Sequence, residues 1–325
     1  MKTNLLKTMM WGSLLAAGWA ASGSPLQRAD VPAEPAWVLH LDCDGLRPTV
    51  IGQYLLTEME KPEAQAKLAA FESIFSFDLR KQLHGLTLYS TGTSPQDGVL
   101  LVYADFQAER LVTLAKAAHD SRHTSYREHV IYNWIDDNKK EREGVKPRVY
   151  AAIQGTRVIF GQREERVARA LDVLDGGAPN LSTSSEFSML GAEGETSFLE
   201  GAARKLDLPE GDPNAAIFRL AKQIRLQMSE AGGQATARLT LEANDEEIAG
   251  HMATIAQGLV ALLKLQKDNP ESARLADGLA LKQDGPRLVA SLALPSSDVV
   301  AMMKADAARK AARKAQRERE ASERR

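Results

Sequence analysis

Residues 232–267, GGQATARLTLEANDEEIAGHMATIAQGLVALLKLQK, place a turn, a strand and a helix in the order that decides the fold. Gly232-Gly233 predicts a hairpin turn, because glycine reaches the positive φ that such turns need. Residues 235–243 alternate. Leu239 and Leu241 stand against Arg238, Thr240 and Glu242, as in a strand with one dry and one wet face. Asn244 sits where an N-cap belongs, and Glu247 follows three residues later as a capping box requires. Asp245, Glu246 and Glu247 suit the positive end of a helix. Beyond them Ile248, Met252, Ile255, Leu259 and Leu263 recur at helical spacing as one apolar stripe.

Outward from this stretch the same strand–turn–strand–helix order recurs. Toward the N-terminus, strands at 86–90 and 99–104 flank a turn at 91–98, and Asp105 caps a helix over 106–119. Strands at 148–154 and 157–161 flank Gly155-Thr156 and lead to a helix over 163–174. A strand over 217–229 precedes Gly232-Gly233. Toward the C-terminus, Asp284-Gly285 joins 279–283 to 288–294, with a helix from Ser297 onward. Ahead of these units, 36–43 (AWVLHLDC) reads as the first strand, and 46–75 as helical with a break at Lys61-Pro62. The expected fold class is α+β: antiparallel sheets from repeated units, with helices packed on one face. The units are expected to pair into two similar halves, 30–178 and 195–303. The Gly- and Ser-rich segment 176–194, with Pro179, is the expected linker.

The N-terminus carries Lys2 and Lys7, an apolar run over 8–21, and small residues from Gly18 to Ser24. That order predicts a signal peptide over residues 1–22, cleaved after Ala20 or Ser22, and a periplasmic or extracellular product of about 300 residues. Cys43, the single cysteine, lies too far downstream for a lipoprotein signal, and alone it forms no intramolecular disulfide. Apolar residues make up 44% and charged residues 26% of the chain, as in globular proteins. The net charge of −2 gives no bulk pull toward nucleic acid, so no nucleic-acid partner is expected. No later apolar run reads as a membrane span. The tail, 304–325, carries a net charge of +5, which leaves −7 on the rest. It is expected to be a basic helical or disordered extension, and a candidate contact for an acidic partner or surface.

Residues 38–48 (VLHLDCDGLRP) hold the most suggestive chemistry. An apolar strand ending in Asp-x-Asp-Gly resembles the first motif of haloacid-dehalogenase-like phosphatases. That resemblance implies Asp42 as the nucleophile on phosphorus, Asp44 as acid/base, and Mg²⁺ held alongside. Asp44-Gly45-Leu46-Arg47-Pro48 also resembles the first metal-binding strand end of alkaline-phosphatase-superfamily phosphodiesterases, which implies Asp44 as a metal ligand. The remaining motifs of both families are missing, and both families use parallel sheets. Read without the resemblance, Asp44-Gly45 bends a strand into a helix. His119 and His123, four apart, are metal candidates if a helix carries both. Tyr132 and Trp134 share one face of an alternating stretch, either as a ligand-binding strip or as sheet packing.

The leading expectation is an exported, non-enzymatic binding or scaffold protein of the cell envelope. Its partner would be an envelope protein or a small ligand, and no cofactor is expected. One alternative is a metal-dependent phosphatase or phosphodiesterase using Asp42 and Asp44 with Mg²⁺. Another is a structural or assembly protein acting through its C-terminal helix. The first alternative turns on whether Asp42 and Asp44 stand in a cleft beside other carboxylates, or cap a helix.

Overall fold

A computed structural model describes residues 24–137, 139, 146–191, 197–204, 216–265 and 270–323, so the expected signal peptide lies outside the described residues. The chain runs β1 (Trp37–Asp42), α1 (Cys43–Leu46), α2 (Val50–Met59), α3 (Pro62–Phe75), α4 (Leu79–Gln82), β2 (Leu83–Ser90), β3 (Gly98–Ala104) and α5 (Ala108–Ala117). It continues through β4 (Arg122–Tyr126), β5 (His129–Ile135), β6 (Arg148–Gln154), β7 (Arg157–Gly161) and α6 (Glu164–Leu174). Then come β8 (Ser197–Ala203), α7 (Ala216–Leu220), β9 (Gln223–Ala231), β10 (Gln234–Glu242), α8 (Glu246–Leu265), α9 (Pro270–Gly278), β11 (Leu279–Asp284), β12 (Arg287–Pro295) and α10 (Ser296–Glu323).

The strands form one twelve-stranded antiparallel sheet ordered β11-β12-β10-β9-β8-β1-β2-β3-β7-β6-β5-β4. The α+β class with an antiparallel sheet is as expected. A single sheet serves both segments, because β1 pairs with β8 along Val38↔Ala202 and its neighbours. Outward from that pair the order is β1-β2-β3-β7-β6-β5-β4 on one side and β8-β9-β10-β12-β11 on the other, seven strands against five.

The helices do not all share one face. Directly opposed residues of antiparallel strands point the same way. The pairs Leu241↔Ile224, Ile224↔Ala203 and Ala203↔Trp37 therefore set Leu241 on the face of Trp37, opposite Val38. On the Val38 face, Val167, Ala170 and Leu171 of α6 pack with Leu101 and Ile159. On the other face, Ala249 and Met252 of α8 pack with Leu241 and Leu288. Leu101, Ile159 and Leu171 are fully buried, and burying each such side chain contributes about 1.5–3 kcal/mol relative to exposure.

Local departures from the expected elements have plain causes. The short apolar run at Ile217 forms helix α7, and the strand starts only at Gln223. A run of that length does not separate helix from strand by periodicity. Asp245, not Asn244, caps α8, accepting the Ile248 N–H at 2.8 Å. Asp105 does not cap α5, whose N-cap is Gln107.

The segment expected to be a linker joins the core. Leu181, Phe187 and Leu190 are buried with α6. The Arg28 guanidinium donates to five of its backbone carbonyls, those of Leu181, Ser184, Glu186, Phe187 and Leu190. Helix α8, at 20 residues, is long and apolar enough to cross a bilayer, which the reading of the sequence overlooked. It lies along the sheet, with Ala249 and Met252 fully buried.

Candidate functional site

The Asp42–Asp44 turn is built as a brace. Asp42 is 5% exposed. Its Oδ1 accepts the Gly45 N–H at 2.7 Å, capping α1, and the Ser24 N–H at 2.8 Å. A Cβ on Gly45 would stand 2.6 Å from Asp42 Oδ2, so the glycine in this motif serves the cap. His40 is 2% exposed on the same strand face. Its Nε2–H donates to the Ser24 carbonyl at 2.8 Å, which turns Nδ1 toward Thr87 Oγ1 at 2.9 Å. Burial pushes its pKa down, so the ring is neutral. Burial likewise pushes the Cys43 thiol up to about 11, which leaves it protonated and a poor nucleophile near neutral pH.

Asp44 is held by Arg47 and His84. Arg47 Nη1 donates to Oδ1 at 2.6 Å and His84 Nδ1 meets Oδ2 at 2.9 Å. Arg47 also donates to the carbonyls of Arg80 and Leu83, each at 2.9 Å, tying α1 to α4 and β2. His84 Nε2 lies 3.1 Å from Asp105 Oδ2. A ring with a carboxylate at each nitrogen donates twice only as imidazolium. Burial opposes that charge, but the hydrogen bonds to Asp105 and Asp44 outweigh it and raise the pKa above the ordinary imidazole value. The brace is therefore complete below about pH 6.5, the unfolded pKa, and fades as pH rises through the folded one. The His84 side chain is 33% exposed, so solvent screening keeps the contribution below about 1 kcal/mol. His84→Gln is expected to lower the thermal midpoint more at pH 6 than at pH 8.5. A deficit independent of pH would count against the double bracket.

The other candidates are dispersed. Helix α5 ends at Ala117, so His119 and His123 do not share a helix face. His119 pairs with Asp137 at 2.8 Å. His123 stands on the exposed edge strand β4, its ring 6.2 Å from that of Tyr132. Among the described residues no group of three or more His, Cys, Asp or Glu is placed to hold a metal. Tyr132 and Trp134 do share a face. Register through Tyr132↔Ala151, Ala151↔Phe160, Phe160↔Leu100, Leu100↔Leu88, Leu88↔Leu39 and Leu39↔Gly201 sets it as the face on which α8 lies. Both are half-buried on it.

That face carries the feature sequence reasoning missed. The first half of the α8 stripe seals onto the sheet, with Met252 fully buried. The second half stands off, and a cleft of about 280 Å³ remains beneath it. Leu239, Leu241, Leu279, Leu281, Leu288 and Ala290 form its floor. Ala256, Leu259, Val260 and Leu263 of α8 form one wall, and Ile217 and Phe218 of α7 close an end. Leu262 and Leu265 are 60% and 71% exposed at the end of α8. The signal was present in the sequence. The apolar stripe and the alternating leucines of β10, β11 and β12 require a common layer, but only the strand order shows that they face one another.

A second cavity, about 350 Å³, lies beside Asp105 and is lined by Ser76, Gln82, Gln107 and Thr156 among others.

No family model and no curated protein matches the chain. Among solved structures, crystal form III of TP0453 is 10% identical, with a TM-score of 0.49 over 88% of this chain and 99% of that one. Crystal form IV of TP0453 gives 0.46 at 10% identity, over 88% and 98%. Likenesses at this level carry no functional argument.

Proposed function

We propose that the chain is an exported, non-enzymatic binding protein of the cell envelope, and that it takes an apolar ligand in the cleft between α8 and the sheet. The cleft itself carries this reading. All twelve lining residues are apolar, so a polar group placed inside would lose its hydrogen bonds to water without replacement. An apolar cleft of this kind favours hydrocarbon guests, whose burial removes apolar surface from water. The volume, about 280 Å³, falls near the lower end of ligand pockets, about 300–1,000 Å³. It suits one acyl chain or one aromatic group, with any polar head outside. The engagement of Asp42 and Asp44 in the turn supports a binding role over phosphoryl transfer.

The test uses the neutral fluorophore N-phenyl-1-naphthylamine, with dodecanoic acid as competitor. Saturable binding to the mature chain and displacement by the acid are expected. Ala290→Trp fills the cleft floor and is expected to weaken binding at least tenfold while leaving the thermal midpoint within a few degrees. Absence of saturable binding to the wild type, or equal binding by the filled variant, sinks the reading.

A further inference from the structure

We propose that the projecting half of α10 docks on an anionic phospholipid surface through a single basic face. Helix α10 spans 28 residues. Its first turns pack against α2, β10 and β12, with Lys304 Nζ 5.4 Å from the Tyr54 ring centroid. From Ala307 to Arg317 every side chain is exposed. At 1.5 Å per residue, the helix from there to Glu323 extends about 25 Å from the body.

At 100° per residue, Arg309, Lys310, Arg313, Lys314 and Arg317 fall within one arc of about 140°. Ala307, Ala308, Ala311, Ala312 and Ala315 fill the opposite arc. Two acids fall in the same arc: Asp306, pairing with Lys310 at 2.7 Å and Arg309 at 3.7 Å, and Glu320, which accepts from Gln316 Nε2 at 3.0 Å. From Ala307 to Arg317 the rod is thus charged on one side and smooth on the other, while the next turn places Glu318 and Arg319 on the alanine side.

The one-sidedness selects the partner. A straight helix lays cations from a single arc on a plane all at once, which fits the dense, flat charge of an anionic bilayer. A helix in a duplex groove meets phosphates on both flanks and needs side chains that read base edges. The alanine face buries too little apolar area to insert, so the helix rests on headgroups by charge, with a contribution that falls as salt rises. This inference uses α10 and not the cleft, and each stands or falls without the other.

The experiment is sedimentation of the mature chain with phosphatidylcholine vesicles, with and without phosphatidylglycerol, at low and physiological salt. Binding only to the phosphatidylglycerol vesicles, weakening with salt, is expected. Each basic residue near such a surface is worth about fivefold. The variant R309Q, K310Q, R313Q, K314Q and R317Q is therefore expected to lose at least a hundredfold in affinity. The variant A307Q, A311Q and A315Q alters only the opposite face and is expected to bind as the wild type does. Equal binding to both vesicle types, no loss in the five-residue variant, or equal loss in the alanine-face variant overturns the proposal. So does tighter binding to duplex DNA than to phosphatidylglycerol vesicles.

Discussion

Arg28→Met is expected to destabilise the protein by about 3–4 kcal/mol, because one guanidinium supplies the hydrogens for five part-buried carbonyls of a single segment. Nη2 donates to the Leu181 carbonyl at 2.7 Å, to Glu186 at 3.2 Å and to Ser184 at 3.3 Å. Nη1 donates to Phe187 and, at 3.2 Å, to Leu190. Hydrogen bonds from a charged donor are worth about 1.5–3 kcal/mol each, and carbonyls left dry after its removal keep their desolvation penalty. The sum is less than additive, since the segment can relax toward water. Leu181, Phe187 and Leu190 limit that relaxation, as all three are buried against the α6 core. Methionine keeps the apolar stem in place, so the loss reports the head group. Arg28→Lys is expected to recover only part of it, because a point charge cannot span carbonyls that a planar fork reaches together. Urea midpoints of the two variants check this. A loss below 1 kcal/mol for Arg28→Met would show that the carbonyls find other donors.

Arg28 also marks where the sequence stops being legible. Hairpins were readable because their determinant is local. Gly155, Gly232, Gly233 and Gly285 all adopt the positive φ that their positions in turns imply. The break in the first helical region was readable for the same reason, since Pro62 opens α3 after the end of α2. The alternation of Leu239 and Leu241 gave a strand with a dry face. It could not say which helix dries it. That depends on β8 pairing with β1, a contact across more than 150 residues with no local signature. The Gly- and Ser-rich composition around Leu181 and Phe187 argued for a linker, and only the distant guanidinium makes it a core segment. The Asp42–Asp44 turn shows the opposite case. Its residues stood out correctly, but a carboxylate capping a helix and one attacking phosphorus share the same short string. Burial and partners separate them, and neither is written in ten residues. The cleft beneath α8 was half legible: its stripe was read from the sequence, while the gap under the end of that stripe is a property of packing.

Met252→Ala is expected to cost about 2–4 kcal/mol, within the range for removing a buried methionine side chain, and to release α8 without releasing α6. Met252 is fully buried in the cluster with Leu241, Leu288 and Ala249. It is the last fully buried anchor along α8, whose window of membrane-spanning composition is only 22% buried overall. Beyond it, Leu259 and Leu263 face the cleft, and Leu262 and Leu265 face solvent. Truncating the anchor therefore extends the existing void under the helix, and the cost grows with the cavity that is left. Leu263 lines the cleft and is only half-buried, so Leu263→Ala is expected to cost about 1 kcal/mol or less, since fewer contacts are lost. The α6 core lies on the opposite face of the sheet with its own buried set. Hydrogen exchange should consequently quicken across α8 in Met252→Ala and stay unchanged in α6, as expected for separate units of local stability. Saturable binding of the apolar fluorophore should fall with it, because the wall of the cleft is the element that loosens. If α6 loses protection to the same extent as α8, the two faces unfold as one cooperative unit. The cleft would then be as rigid as the core, and a ligand would have to enter without help from α8.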